Sequence, residues 1–510
     1  MNEPGYAPRR GTDDDRLNRP MGRPRHGFGP RRGEDVPLGR TTPSGKFGRM
    51  FPDLLPLVPA PEQLIELSAE MRDADPGAAG GNNDAVPAGF TYLGQFIDHD
   101  ITFDPTALQE VIVDPQALEN FRTPMLDLDC LYGAGPAAAP FLYERGDNER
   151  LLIGRTSSTP GQGDPSIPTE RPNDLPRAPH GFALIGDPRN DENLVVAQTH
   201  LALLKFHNKI VDGLRGGTIP RVSPLRKSTF DEARDLVISH YQWIVIHDFL
   251  RRVLDEDVWK TVFTKGEHRS LPCFERGPFI PVEFSAAAYR FGHTMVREVY
   301  AFNRVFRPGG VAPATLELLF LFSGLSGPGN TVPIPSDWII DWRNFFEVGK
   351  AKPNASRSLD PLLAPKLHQL PGMPDPASLA ARNLLRGRSL GLPSAQSIAR
   401  FLDIEPLTPD EIAQGPDGAI AARHNLHIET PLWYYILKEA QIDGKGKRVG
   451  TLGSIIVAET FFALLRADSS SFLRRKQGWT PTLPSAKADT FTMADLLRFV
   501  DDINPIGDAA

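Results

Sequence analysis

Gly94-Gln95-Phe96-Ile97-Asp98-His99-Asp100 sets three consecutive ionisable residues directly behind an apolar pair. Burying such a run is costly unless each side chain finds a partner. Read from the residues alone, the string is either a local salt-bridge cluster at a helix end or a site built around His99. A neutral imidazole, with an ordinary pKa of about 6.5, both accepts and returns a proton at physiological pH. The rest of the chain decides between the two readings.

The string lies within Phe90–Phe103, a helical segment behind a loop rich in Pro, Gly and Asn. Helical spacing of apolar residues recurs in Pro61–Met71, Asn193–Leu214, Phe230–Leu254, Phe284–Tyr300, Pro376–Leu385, Thr430–Ala440 and Val449–Leu465. Alternating strand patterns are few and no internal repeat is visible. The expected fold is mainly α, with long loops and little β. The 49 Pro and 45 Gly residues fit those loops, among them Thr156–His180 and Ser326–Pro335.

Composition narrows the class. Apolar residues make 40% of the chain and charged ones 23%, as in a globular protein with a real core. The net charge of −7 argues against nucleic acid as the main partner. Cys130 and Cys273 cannot form a disulfide framework; between one long-range bridge and two buried free thiols, the free thiols are the expected state. No apolar run is long enough for a membrane span, and Glu459 and Thr460 interrupt the most apolar one, which reads as a buried core helix. The N-terminus shows no apolar leader, so the expected compartment is the cytoplasm, or the exterior by a route without an N-terminal signal peptide.

Residues 1–50 differ from the rest. They hold eleven Lys/Arg against six Asp/Glu, with sixteen Gly or Pro, so they read as a basic arm that cannot bury enough apolar surface to order itself. Residues 51–510 form the packed body, and no linker splits it.

Four further strings carry chemistry. Gly186-Asp187-Pro188-Arg189-Asn190-Asp191-Glu192 puts a cation and a carboxylate three residues apart, on neighbouring faces of one helical turn. Thr123-Pro124-Met125-Leu126-Asp127-Leu128-Asp129 offers oxygen ligands at alternate positions. In an extended segment Thr123, Asp127 and Asp129 would converge, with Met125 offering its backbone carbonyl, as a calcium site of six to eight oxygens requires. Tyr289-Arg290-Phe291-Gly292-His293-Thr294 places a histidine behind a glycine. Asn383-Leu384-Leu385-Arg386-Gly387-Arg388 adds an amide and cations.

In their order along the chain the five strings resemble the motifs of the animal-type haem peroxidases, the peroxidase–cyclooxygenase superfamily, from about Phe90 to Asp468. The resemblance implies haem b and Ca2+ as cofactors. His99 is then the distal acid–base catalyst, with Arg189 and Gln95 beside it. Asp98 and Glu192 are the carboxylates that can form esters with haem. Asn193 stands near where members with a third, sulfonium link carry Met, so that link is not expected. Asp100, Thr123, Met125, Asp127 and Asp129 take the calcium positions, Asp129 replacing the usual Ser. His293 is the ligand of the haem iron, Asn383 accepts its second N–H, and Arg290 and Arg386 lie near propionates. Leu385, Ser389 and Leu390 depart from the pattern, which leaves the hydrogen bonds around Asn383 open. His200 and His207 read as structural.

The implied activity is reduction of hydrogen peroxide with oxidation of an organic or halide donor. Two other readings stand beside it. Fatty-acid dioxygenases of the superfamily need a radical-forming Tyr three residues before the proximal His, where this chain has Arg290 and keeps Tyr289 one residue further back. A non-enzymatic calcium-binding or adhesion module would have lost a catalytic position, yet His99, Arg189 and His293 are all present.

Overall fold

The computed structural model describes residues 47–103, 120, 122–222, 227–269, 271–274, 279–370, 373–475 and 478–508. Nine α-helices of eight or more residues lie among them: α1 Pro61–Glu70, α2 Gly89–Ile101, α3 Leu194–Gly216, α4 Thr229–Ile244, α5 Leu379–Ser389, α6 Gly415–Arg423, α7 Leu432–Ile442, α8 Thr451–Ala467 and α9 Met493–Val500. The β-structure of the described residues is four two-stranded pairings, so the mainly α expectation holds.

Local chemistry sets the helix ends. Asn193 caps α3 by accepting from Val196 N, and Gly217 ends it in the left-handed region at φ 75°. Ser228 and Ser378 cap α4 and α5 in the same way, and Thr492 with Asp495 forms a capping box on α9. The longest helix, α3, packs against α2, α4 and α9, while α5 packs against α1 and α7. The apolar α8 is a buried core helix, as expected, and its Glu459 accepts from Arg269 N at 2.7 Å. No helix of the described residues is long and apolar enough to cross a membrane. Cys130 and Cys273 are free and buried.

Two expected helices change form. The expected Phe230–Leu254 segment is helical as far as Val253, but Val245–Leu250 widens into a π-helix before the last turn Arg251–Val253. That widening seats Phe249 against α2. Phe284–Tyr300 is not one α-helix. Ala287 breaks it at φ −137°, ψ −72°, and Ala288–Met295 continues as a 3₁₀-helix. Val299–Tyr300 then leaves as a strand paired with Ala314–Thr315. The β-branched Val296 and Val299 favour that extended exit.

The basic arm lies outside the described residues except at its end. Phe47–Gly48 pairs with Ile280–Pro281, Phe47 and Met50 are buried, and Met50 N donates to Glu283 Oε2 at 2.9 Å. The packed body therefore reaches back at least to Phe47, four residues before the expected boundary.

Gly94 shows why α2 needs a glycine where it meets the π-helix. A Cβ there would lie 2.9 Å from the Phe249 ring, which is itself 2% exposed. Gly94→Ala is expected to destabilise the fold by about 1–3 kcal/mol through overpacking. Unchanged urea unfolding would refute this account of the contact.

Candidate active site

The last turn of α2 carries the run that opened the sequence. His99 is buried, and its Nδ1 lies 2.9 Å from Asn190 Oδ1. Asn190 in turn donates from Nδ2 to Nδ1 of His200 at 3.0 Å. With the Asn190 oxygen facing it, Nδ1 of His99 carries the proton and Nε2 keeps its lone pair. Burial, then the nearby Arg189 charge, pushes the His99 pKa down to about 3, so the imidazole is a neutral base. Nε2 lies 3.6 Å from Glu192 Oε1. Glu192 accepts a hydrogen bond from Gln95 Nε2, and Gln95 Oε1 accepts from Asn193 Nδ2 at 3.1 Å. Burial lifts the Glu192 carboxyl to about 7, partly offset by Arg189. Gln95, Glu192 and His99 are thus brought together.

Arg189 stands in the short 3₁₀ turn Pro188–Asp191. Asp187 grips it by a two-pronged ion pair, at 3.1 Å from Nε and 2.7 Å from Nη2. The same Nη2 donates to His99 O at 3.1 Å and Thr102 O at 2.5 Å, and the guanidinium covers the Phe103 ring at 4.4 Å. Arg189 therefore holds the end of α2 by its backbone carbonyls. Asp98 accepts from Thr102 Oγ1 at 3.0 Å, and burial raises its carboxyl pKa.

The proximal string is organised by its 3₁₀ geometry. Residues three apart share a face in such a helix, which brings Arg290 and His293 onto one amide. Arg290 Nη1 donates to Asn383 Oδ1 at 2.8 Å, and Asn383 Nδ2 lies 2.8 Å from His293 Nδ1. The expected Asn383–His293 contact is present with the opposite polarity, because Arg290 occupies the amide oxygen. Burial pushes His293 down to about 3. A Cβ on Gly292 would meet nothing within 4 Å, so this turn faces open space.

Distal and proximal strings meet at one open cavity of about 220 Å³. Asp98, Thr102 and Arg189 line one side; Arg290, Arg382, Asn383 and Arg386 line another. Four guanidiniums face one carboxyl. Burial lowers the pKa of both Arg290 and Arg386, so an anionic ligand there would relieve their desolvation.

Beyond α2 lies a buried acidic cluster. Carboxylate oxygens of Asp100, Asp127 and Asp129 lie within 4.8 Å of one another. Asp100 Oδ2 and Asp129 Oδ2 are buried with no hydrogen-bond partner among the described residues, and Thr123 Oγ1 donates to Asp127 at 3.3 Å. The expected convergence is real, but its cause differs from the extended segment inferred above. Leu128 turns into the left-handed region at φ 55°, and Asp129 opens the short helix Asp129–Tyr132. Met125 is half-buried in the same loop.

Four contributors were missed in the sequence: Asn190, Arg382, Asp187 and Arg122. Arg382 had a usable signal, since it sits one turn before Arg386 on the same helix face. Asn190 and Asp187 lay inside a string already singled out. Arg122 gave no signal. Of the two histidines read as structural, His207 packs against Tyr132 and Glu149 O, whereas His200 backs the Asn190 that holds His99.

A peroxidase-like protein from Margaritifera margaritifera is 26% identical over 356 residues, 59% of this chain and 44% of the relative. Eosinophil peroxidase from Homo sapiens is 24% identical over 530 residues, 88% of this chain and 67% of the relative. The chain spans less than half the length of the first of these. Among solved structures, peroxidase A from Dictyostelium discoideum superposes with a TM-score of 0.62 at 18% identity, covering 92% of this chain and 95% of that one. A fatty acid alpha-dioxygenase from Arabidopsis thaliana gives 0.59 at 15%, covering 91% and 79%. Both share the fold. The family model described as animal haem peroxidase matches residues 109–498, beginning after His99 and taking in Arg189, His293 and Asn383. On that match, which spans most of its length, the chain belongs to the animal haem peroxidase family.

Proposed function

We propose that the chain is a haem peroxidase that reduces hydrogen peroxide and oxidises an organic or halide donor. The observation that carries this reading is the cavity with the His99 turn on one side and the Asn383 network of His293 on the other. Its excess of guanidiniums suits a ligand with two carboxylates, such as the propionates of haem b. Bound haem supplies a redox-active iron at which peroxide is reduced and oxidising equivalents pass to the donor.

The protein's part follows from its own groups. His99 Nε2 takes the proton from peroxide and returns it to the leaving oxygen. Asn190 fixes the tautomer that makes this possible, and Arg189 supplies positive charge nearby. Gln95 holds Glu192 next to His99. His293 would hold the iron through Nε2, which leaves its proton on Nδ1. Asn383 must then present its oxygen to that proton, so its amide turns over and frees Arg290 for a propionate. Arg382 and Arg386 would bind the remaining carboxylate charge. Asp98 and Glu192, whose carboxyl pKa values burial raises, are the candidates for ester attachment. Asp100, Asp127, Asp129 and Thr123 would hold Ca2+, with the Met125 carbonyl completing the set, and tie their loop to the helix that carries His99.

In the haem-loaded protein, peroxide should shift the Soret band. His99→Ala is expected to slow that reaction by a factor on the order of 10²–10⁴ with haem retained. Wild-type rates in the variant would remove His99 from the mechanism.

The pH dependence carries a sign. An imidazole left at about 6.5 would lose roughly thirtyfold of its base form by about pH 5. Burial holds the His99 pKa near 3, so the base form persists as pH falls. The rate constant for peroxide should stay flat between about pH 5 and about pH 6.5; a fall centred near 6.5 would contradict the buried-base assignment.

Acid-acetone extraction tests the attachment. Haem should resist extraction from the wild type and leave the Asp98→Val, Glu192→Gln double variant. Retention in the double variant would exclude these two carboxylates as the ester sites.

A further inference from the structure

Asp129 stands where the family motif has Ser, and an extra buried carboxylate needs compensation. Arg122 provides it. This side chain is 1% exposed, donates from Nη1 to Asp129 Oδ1 at 2.8 Å, and places Nη2 at 2.6 Å from Asp187 Oδ2 and 2.9 Å from Gly186 O. Asp187, fully buried, is the residue that grips Arg189, whose Nη2 holds His99 O and Thr102 O. A continuous line of charged contacts therefore runs from the acidic cluster to the turn bearing His99. The backbone fixes its middle. Gly186 N donates to Cys130 O at 2.8 Å, and a Cβ on Gly186 would fall 2.7 Å from Asp129 O and Cys130 O. The two segments are clamped too closely for any other residue, which holds Asp187 and Asp129 at either end of the Arg122 fork.

The charges balance in a specific way. Ionised Asp100, Asp127, Asp129 and Asp187 against Arg122 and Arg189 leave two negative charges, the complement of one divalent cation.

We propose that Arg122 is a positioning residue that couples occupancy of the calcium site to the grip of Asp187 on Arg189 and the His99 turn. The proposal rests on the calcium reading given above. When a cation draws on Asp129, the Arg122 fork leans toward Asp187. By linkage, the factor by which the bound cation strengthens the Arg122–Asp187 pair is the factor by which that pair strengthens cation binding. The familiar route from the metal to His99 through Asp100 is covalent; this one passes through side chains.

The test is calcium titration by calorimetry of the haem-loaded chain after treatment with chelator. Asp187→Asn leaves every oxygen of the cluster in place, yet it should weaken calcium binding about fivefold, because the Arg122 fork then falls to Asp129 alone. In an Arg122→Met background the same substitution should change affinity less than about twofold. The Arg122→Met, Asp129→Ser background removes one buried charge of each sign, so it keeps the comparison available if Arg122→Met alone does not fold; the effect of Asp187→Asn should vanish there too. Equal effects in both backgrounds, or no effect in the wild-type one, overturn the coupling and leave the calcium reading standing. A wild-type chain that binds no calcium overturns both.

Discussion

Three consecutive ionisable residues on the last turn of α2 must each be compensated inside a helical core, and much of the site is arranged by that requirement. A helical turn points Asp98, His99 and Asp100 in three directions about a hundred degrees apart. Asp98 turns to the cavity and Thr102, His99 to Asn190 and Glu192, and Asp100 to the acidic cluster. One turn therefore touches three distinct environments. The 3₁₀ turn Pro188–Asp191 closes it from the other side, holding His99 by its ring through Asn190 and by its carbonyl through Arg189.

Burial gives this arrangement its chemistry. Burial drives His99 and His293 toward the neutral form, which the proposed roles of proton acceptor and metal ligand both require. The same burial leaves Asp98 and Glu192 reluctant to ionise, which suits carboxyls that lie beside a bound macrocycle. Charge is instead concentrated in guanidiniums, which hold it through desolvation better than any other side chain.

Much of this was legible in the sequence because the relevant contacts are local or stand in ordered strings. Helices α2, α3, α4, α7 and α8 follow from the helical spacing of their apolar residues. What escaped is where geometry departs from the ideal period. A 3₁₀ segment at Ala288–Met295 and a π segment at Val245–Leu250 carry the same residue types as an α-helix, so periodicity cannot separate them. Asp129 converges with Asp127 because Leu128 adopts a left-handed conformation, which a leucine does not advertise. Arg122 is legible only in three dimensions, since Asp187 lies far along the chain and meets it through the glycine approach at Gly186.

The 3₁₀ turn also bears on which chemistry the fold performs. Both peroxidases and fatty acid alpha-dioxygenases share this architecture, so fold alone does not choose between them. A three-residue period puts position 290 on the face of His293, and that position holds a guanidinium already engaged with Asn383. Tyr289 falls on a different face, fully desolvated, with its hydroxyl spent on Gly94 O at 3.3 Å and its ring stacked on Phe284. Burial raises its pKa well above the ordinary phenol value, so loss of its proton is disfavoured there. A phenol in that setting is built to pack. The residue that shares the face of His293 is a cation suited to a carboxylate, and this supports the proposed peroxidase reading over one that needs a tyrosine at that position.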